Sequence, residues 1–599
     1  MLGKGLFAGL FAAVLLCAGT DTRLADAAQQ GDKDAVRTLL RQQVDINAAR
    51  GDGATALHWA AYNDDLEMVR ILLAAGANIN AATREGAITP LFMACTNGDA
   101  AMIEALLKAG ASAKSSKANG TTALMLAAAS GSVDAVKVLL DHGADVNAKE
   151  GSHGQTALMF AAALNRDAVI KLLLARGGDA NFATPVNKME RVRFDQDGNI
   201  VEDRPARAGA NATSDSDPQG ELNAFAHALG FKSAVYLLAK PRPKAGDVAA
   251  RGPRKIGADF MGGMTALLYA AREGHINAAR ALVEGGANLN AVNGDKFSPL
   301  VMAIVNGHLT LGKYLLDKGA DPNLVSESGL TALYAAVDVE WAPKTWFPRS
   351  STEQEQVKYL DLLKDLLDKG AKVDVPVNEK PWFRSFTNDY TWVDPAGATA
   401  FWRAAQSSDI AAMKLLVAHG ADPKISTKSG ETPLMAAAGI GWAANWSVNA
   451  PYPAIEAVKY CVELGNDVNA VDSRGYTALH GAAYLGDNDM VNYLVSKGAK
   501  IDAKSKGGDT VADMANGPTR FGQPHLETVA LLVKLGSVNS NNCRSDQCVI
   551  AAGANIYQRP LSAAEQADKD VLDKLAAAMG FKSVEYVSEG MTNRGGGGK

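Results

Sequence analysis

Thr122-Ala-Leu-Met-Leu-Ala-Ala-Ala-Ser-Gly131, then Val138-Leu-Leu140, then Gly143-Ala-Asp-Val-Asn-Ala148, is the stretch on which the reading of the fold turns. A Thr hydroxyl just ahead of an apolar run can accept from the free amides of a first helical turn, so a helix is expected to start there. Leu124 and the small pair Ala127 and Ala128 keep that helix slim enough to stack closely on neighbours. Gly131 ends it, because glycine takes left-handed backbone without penalty. The aliphatics Val138, Leu139 and Leu140 predict a second helix that faces the next unit, and Gly143 opens a connecting hairpin.

The opening recurs. Thr55-Ala-Leu-His58, Thr89-Pro-Leu-Phe92, Thr122-Ala-Leu-Met125 and Thr156-Ala-Leu-Met159 follow one another at spacings of 34, 33 and 34 residues. Thr265-Ala-Leu-Leu268, Ser298-Pro-Leu-Val301 and Thr331-Ala-Leu-Tyr334 are each 33 apart, and Thr399-Ala-Phe-Trp402, Thr432-Pro-Leu-Met435 and Thr477-Ala-Leu-His480 complete ten openings. Pro after Thr suits a first turn, where no amide donor is needed. These residues resemble the ankyrin family, whose repeat opens T-P-L-H and closes G-A-D-V-N-A, and the resemblance covers most of residues 20–538. It implies an all-α solenoid of helix-turn-helix units joined by β-hairpin fingers, with His58 and His480 hydrogen-bonding between adjacent repeats. One unit cannot bury both of its faces, so stability must come from stacking. Asp21 to Ala48 reads as a polar first repeat, and Thr510 to Asp513 with Val529 to Leu532 as a worn closing one, giving eleven recognisable repeats and a twelfth.

At 599 residues the chain is too long for one ordinary core, and a net charge of -5 with mixed signs supplies no field for nucleic acid. No interior run approaches the roughly 18 apolar residues that a membrane span needs. Lys4, the apolar Leu6 to Leu16 and the small Ala18, Gly19 and Thr20 have the layout of a secretory signal peptide over 1–19. A periplasmic or secreted protein of the exported bacterial type is therefore expected. A lipid anchor on Cys17 is the competing reading, and Leu16 is not the small residue it needs. Cys95 and Cys461 fall on apolar helix faces. Cys543 and Cys548 lie in a polar segment, where an oxidising compartment favours a local disulfide.

Insertions divide the array, which is expected to run as repeats over 20–182, an insertion over 183–262, repeats over 263–538 and a tail over 539–599. Within the long insertion, residues 226–238 resemble a worn repeat, and a short helix is expected at 568–579 in the tail. Three further interruptions lie near 340–352, 376–397 and 441–453, and seven of the eight tryptophans fall between residues 341 and 446. Trp341, Trp346, Phe347, Trp382, Phe383, Tyr390, Trp392, Trp402, Trp442 and Trp446 are the expected partner-binding residues, since aromatic anchors dominate binding hot spots. Packing is the equal alternative, because long insertions need large apolar pins to hold them to a scaffold. The first and third of these insertions should share an edge on either side of the short turn Gln406 to Asp409, and the second should fold towards Trp402.

No nucleophile elbow, Walker loop or histidine pair with metal-ligand spacing occurs, so no enzyme, cofactor or metal site is expected. His275 and His308 occupy Gly-His turns, while His153, His227 and His525 have no repeat explanation. The function expected is recognition of a protein partner, such as an exported enzyme or envelope complex. The alternative is stacking of the tryptophans on sugar rings.

Overall fold

The computed structural model describes residues 21–188, 193–194, 200–201, 260–343, 352–381, 393–443, 447–517 and 524–540. Among them, 24 α-helices form twelve consecutive helix-turn-helix pairs, from Arg23–Gln29 with Lys33–Arg41 to Val511–Ala515 with Leu526–Lys534. Each inner helix packs on the inner helices before and after it, so one apolar core runs the length of the stack. The capping logic holds: the hydroxyls of Thr122, Thr265, Ser298, Thr331, Thr399, Thr432 and Thr510 accept from the amide three residues on.

The residue three after each opening Thr points into the stack. Phe92, Met125, Met159, Leu268, Val301, Tyr334 and Met435 are all buried there. His58 uses that position to tie two repeats together. The Thr55 amide donates to its Nδ1 at 3.1 Å, which leaves the proton on Nε2 to be donated to the Ile88 carbonyl at 2.9 Å. Trp402 stands at the same position and does the same work, its indole N–H donating to the Glu431 carbonyl at 2.9 Å. Ile88 and Glu431 each directly precede the next opening Thr.

The fingers depart from the expectation of β-hairpins. Among the described residues they carry only isolated bridges, such as Ser116 with Thr122, and two ladders of two residues per strand. Each finger is closed by a backbone bond of its own, as in Lys117 N to Thr121 O and Asn293 N to Phe297 O, and is also held by contact between successive fingers. One backbone bond joins neighbouring tips along the stack, as in Arg84 N to Asp52 O, Gly151 N to Asn119 O, Asn378 N to Ser328 O and Lys506 N to Arg474 O, at 2.7–2.9 Å. A glycine two residues before the opening, present at eight of the ten openings and replaced by Ala87 and Lys296 at the other two, permits this approach. A Cβ on Gly329, whose φ is +83°, would stand 2.4 Å from the Asn378 amide nitrogen. A second rail runs through the asparagine that closes several of the repeats: Asn147, Asn181, Asn323 and Asn469 accept a backbone amide of the next repeat and donate to a glycine carbonyl there.

The long insertion leaves the stack undisturbed. The helices Ala157–Ala163 and Asp167–Ala175 pack directly on Ala266–Glu273 and Ile276–Glu284. His275 donates to the Ala162 carbonyl, and the Asn288 amide reaches Asn181 at 2.7 Å, so a turn contact and the asparagine rail both cross the gap. The chain departs and returns through one finger, closed at its neck by antiparallel pairing of Asn187 with Met261 and Lys188 with Phe260. Residues 226–238 lie outside the described residues, and the repeats flanking the insertion touch with none between them.

Candidate functional site

Three insertions converge on the repeat that opens at Thr399. Its helix-connecting turn, Ser407, Ser408 and Asp409, is buried, whereas of the matching Asn63, Asp64 and Asp65 in an ordinary repeat the first two are exposed and the third half-buried. From the first insertion, the Trp341 indole N–H donates to Asp409 Oδ2 at 2.7 Å. From the third, the Ala450 amide donates to the Ser407 carbonyl at 2.8 Å. The expected shared edge is therefore present. The second insertion brings Lys380, Pro381 and Val393 over the same inner helices, where with Asp338, Pro343 and Arg403 they line a small open cleft.

Beneath the cleft lies a buried polar network. Arg403 Nε donates to Asp338 Oδ1 at 2.9 Å, with side chains 7% and 11% exposed. Its other nitrogens donate to the Ser407 hydroxyl and to the Trp341 carbonyl. The Tyr359 hydroxyl donates to Asp409 Oδ2 at 2.7 Å, and the Ala412 amide to Oδ1 at 3.0 Å. Burial, with the Asp409 carboxylate beside it, pushes the Tyr359 phenol far above its usual range. Sequence reading missed this network, although an Asp and an Arg on inner helices otherwise built from Ala, Leu and aromatics were its visible signal.

Of the ten aromatic residues expected to bind a partner, three lie in the described residues. Trp402 corrects that expectation: it is 1% exposed and belongs to the core. Trp341 is half-buried, bonded to Asp409 and packed edge-on against Tyr359. Trp442 is half-buried against the core. Trp346, Phe347, Trp382, Phe383, Tyr390, Trp392 and Trp446 lie outside the described residues, as do Cys543, Cys548 and the 1–19 segment.

A second surface was not singled out from the sequence. Four residues after each opening Thr, the N-terminal repeats carry Trp59, Met93, Leu126 and Phe160, all half-buried. Their place beneath the fingers is fixed by Arg50, stacked 5.4 Å over Trp59, and by the hydrogen bond of Gln155 to Tyr269, the next residue in the series. From Tyr269 onward the series closes: Tyr269, Met302, Ala335, Arg403, Ala436, Gly481 and Met514 are buried. The concave face is thus open along its first half.

Several of the described histidines have structural partners. His308 donates to the Arg272 carbonyl and packs on Gly274, and His525 packs in the same way on Gly486. His525 is thus a turn histidine, hidden in the sequence by the residues inserted before it. Burial lowers the pKa of His58, His525 and His480, the last to about 4. Cys95 and Cys461 are buried thiols pushed up by desolvation. Among the described residues no group of three or more His, Cys, Asp or Glu could hold a metal ion, and no helix is long and apolar enough to cross a membrane.

Comparison with known proteins agrees with this architecture. The family model for ankyrin repeats (three copies) matches residues 24–117, 91–184, 224–326 and 443–505, more than half of the chain. Similar proteins include the palmitoyltransferase Hip14 of Drosophila melanogaster, 42% identical over 86 residues, or 14% of this chain and 13% of that protein. A Caenorhabditis elegans homolog of the transient receptor potential cation channel subfamily A member 1 is 30% identical over 122 residues, 20% of this chain and 9% of the channel. The human BCL-6 corepressor-like protein 1 is 34% identical over 114 residues, 19% of this chain and 5% of that protein. The similarity thus spans small parts of larger animal proteins, and an exported bacterial type draws no support from them. With twelve stacked helix pairs, the inter-repeat histidine bond and the family match in agreement, the chain belongs to the ankyrin-repeat family.

Proposed function

We propose that the chain is a non-catalytic scaffold that binds a protein partner on its concave face, with the aromatic-rich loops of the three clustered insertions as a second contact. The open row Trp59, Met93, Leu126 and Phe160 carries this reading. It presents large apolar side chains, one per repeat, on a stack whose fingers are already tied together, so little ordering entropy is lost on binding. Single apolar residues at a surface need no explanation, whereas a continuous row along a concave face marks an interaction surface.

Capture from the cell of origin with the full chain tests it. Leu126→Glu with Phe160→Glu should abolish recovery of the partner while the circular dichroism melt keeps its midpoint. Equal recovery by this variant would refute concave binding, and loss on removing 376–397 alone would move the site to the insertions. We further propose export to the periplasm or beyond, supported by Lys4 and the apolar Leu6 to Leu16. Recovery of the full-length chain in the cytosolic fraction would contradict it.

A further inference from the structure

Two rows of side chains on the open half of the concave face specify the partner's chemistry, an inference that rests on reading that face as the recognition surface. The first row is the apolar one, Trp59, Met93, Leu126 and Phe160. The second is cationic. Arg50, Arg84 and Lys117 each stand five residues before an opening Thr, and Lys149 lies on the next finger. They overhang an aromatic floor: Arg50 lies 5.4 Å from the Trp59 ring, Lys117 5.9 Å from Phe92 and Lys149 4.0 Å from Phe182.

The neighbouring carboxylates leave these cations in excess. Asp26 faces Arg50 at 3.5 Å, and Asp52 is engaged by the Ala54 amide within its own turn. Glu150 is buried and accepts the amides of Ser152, His153 and Gln155. Asp52 and Glu85 are the exposed carboxylates on these fingers, against Arg84, Lys114, Lys117 and Lys149. Arg84, Lys117 and Lys149 make no ion pair among the described residues. From Ser298 onward the position five before the opening holds Asn293, Ser326, Asp394, Thr427, Asp472 and Ser505, and the later fingers carry their cations at other positions, as at Lys296, Lys428, Arg474, Lys504 and Lys506.

Spacing is compatible with a helical ligand. Stacked helices lie roughly 8–10 Å apart, so the apolar row offers one contact per step of that length. An α-helix presents the same face again after seven residues, about 10.5 Å at its 1.5 Å rise. A strand repeats its face at about 7 Å or 13 Å and falls out of step. We propose that the open half of the groove docks an amphipathic α-helix of the partner protein, its apolar face on Trp59, Met93, Leu126 and Phe160 and an acidic flank against Arg84, Lys117 and Lys149. A nucleic acid fits less well, because Met93 and Leu126 in the middle of the row offer no stacking face and the chain's net charge is -5.

The test uses the full chain and three fluorescein-labelled probes: a helical peptide of about three heptads with a leucine face and a glutamate flank, the same peptide with lysine in place of glutamate, and a single-stranded oligonucleotide of similar length. Anisotropy should show binding of the acidic peptide alone, weakening with salt. Arg84→Glu, Lys117→Glu and Lys149→Glu together should raise its Kd at least about tenfold with an unchanged melt. Equal binding of the lysine peptide or the oligonucleotide, no effect of the triple reversal, or no binding of the acidic peptide at millimolar concentration would each overturn the proposal. Partner capture that depends on Leu126 and Phe160 but not on the three cations would leave concave binding standing and remove this inference alone.

Discussion

Arg403 and Asp338 form an ion pair across two repeats, Nε to Oδ1 at 2.9 Å, with both side chains almost wholly withdrawn from water. Removing one member of such a pair leaves a desolvated charge behind, at a cost of about 3–5 kcal/mol. Arg403→Leu should therefore lower stability by that order in urea titration. Asp338→Leu combined with Arg403→Leu should recover much of it, since the second charge is then gone as well. A double variant less stable than the sum of the two singles would contradict this account.

Asp409 joins the first insertion and the helix Tyr359–Asp368 to its own repeat by accepting from the Trp341 indole, the Tyr359 hydroxyl and the Ala412 amide. Asp409→Ala strands two buried side-chain donors, at about 1–3 kcal/mol each. Tyr359→Phe removes one donor and should cost about 1 kcal/mol. Trp341 fluorescence should shift to the red in Asp409→Ala and not in Tyr359→Phe, because only the first releases the indole. An unshifted spectrum in both would mean that Trp341 is held by something else.

The buried histidines make stability fall with acid. Burial sets the His480 pKa at about 4, against 6.5 for the free side chain, and lowers His58 in the same direction. Below the unfolded value the unfolded chain takes up protons that the folded chain refuses. Stability should therefore decline from about pH 6.5 towards pH 4, with a slope approaching about 1.4 kcal/mol per pH unit for each such histidine. Urea melts between pH 7.5 and 5 should show the decline, and His480→Asn should make it shallower. A slope unchanged by that substitution would count against His480 as its source.

The stack was legible because repetition gives many readings of one register, and a Thr cap, a small-residue pair and a Gly stop each have a single physical use. Trp402 shows where that reading failed. It was grouped with its aromatic neighbours by count, whereas its place three residues after Thr399 made it the counterpart of His58. The Asp338–Arg403 pair was hidden for another reason: its members are 65 residues apart, and nothing local says that their helices lie side by side. The open groove escaped notice because half-burial depends on what the neighbouring fingers cover, which periodicity does not reveal. The finger rails were equally invisible, being backbone bonds between repeats.

Those rails give the sharpest test of the stacking argument, because two glycines share a backbone conformation but not a neighbourhood. Gly329 and Gly319 have φ of +83° and +97°, so alanine at either should cost about 1–2 kcal/mol for left-handed backbone. At Gly319 a Cβ would meet nothing within 4 Å, while at Gly329 it would stand 2.4 Å from the Asn378 nitrogen, which donates to Ser328 at 2.8 Å. Gly329→Ala must therefore also break the tip-to-tip bond, for a further loss of about 1 kcal/mol or more. Hydrogen exchange should show the Asn378 amide losing protection in Gly329→Ala and keeping it in Gly319→Ala. Equal protection in the two variants would mean that the fingers are ordered within each repeat rather than by contact with the next.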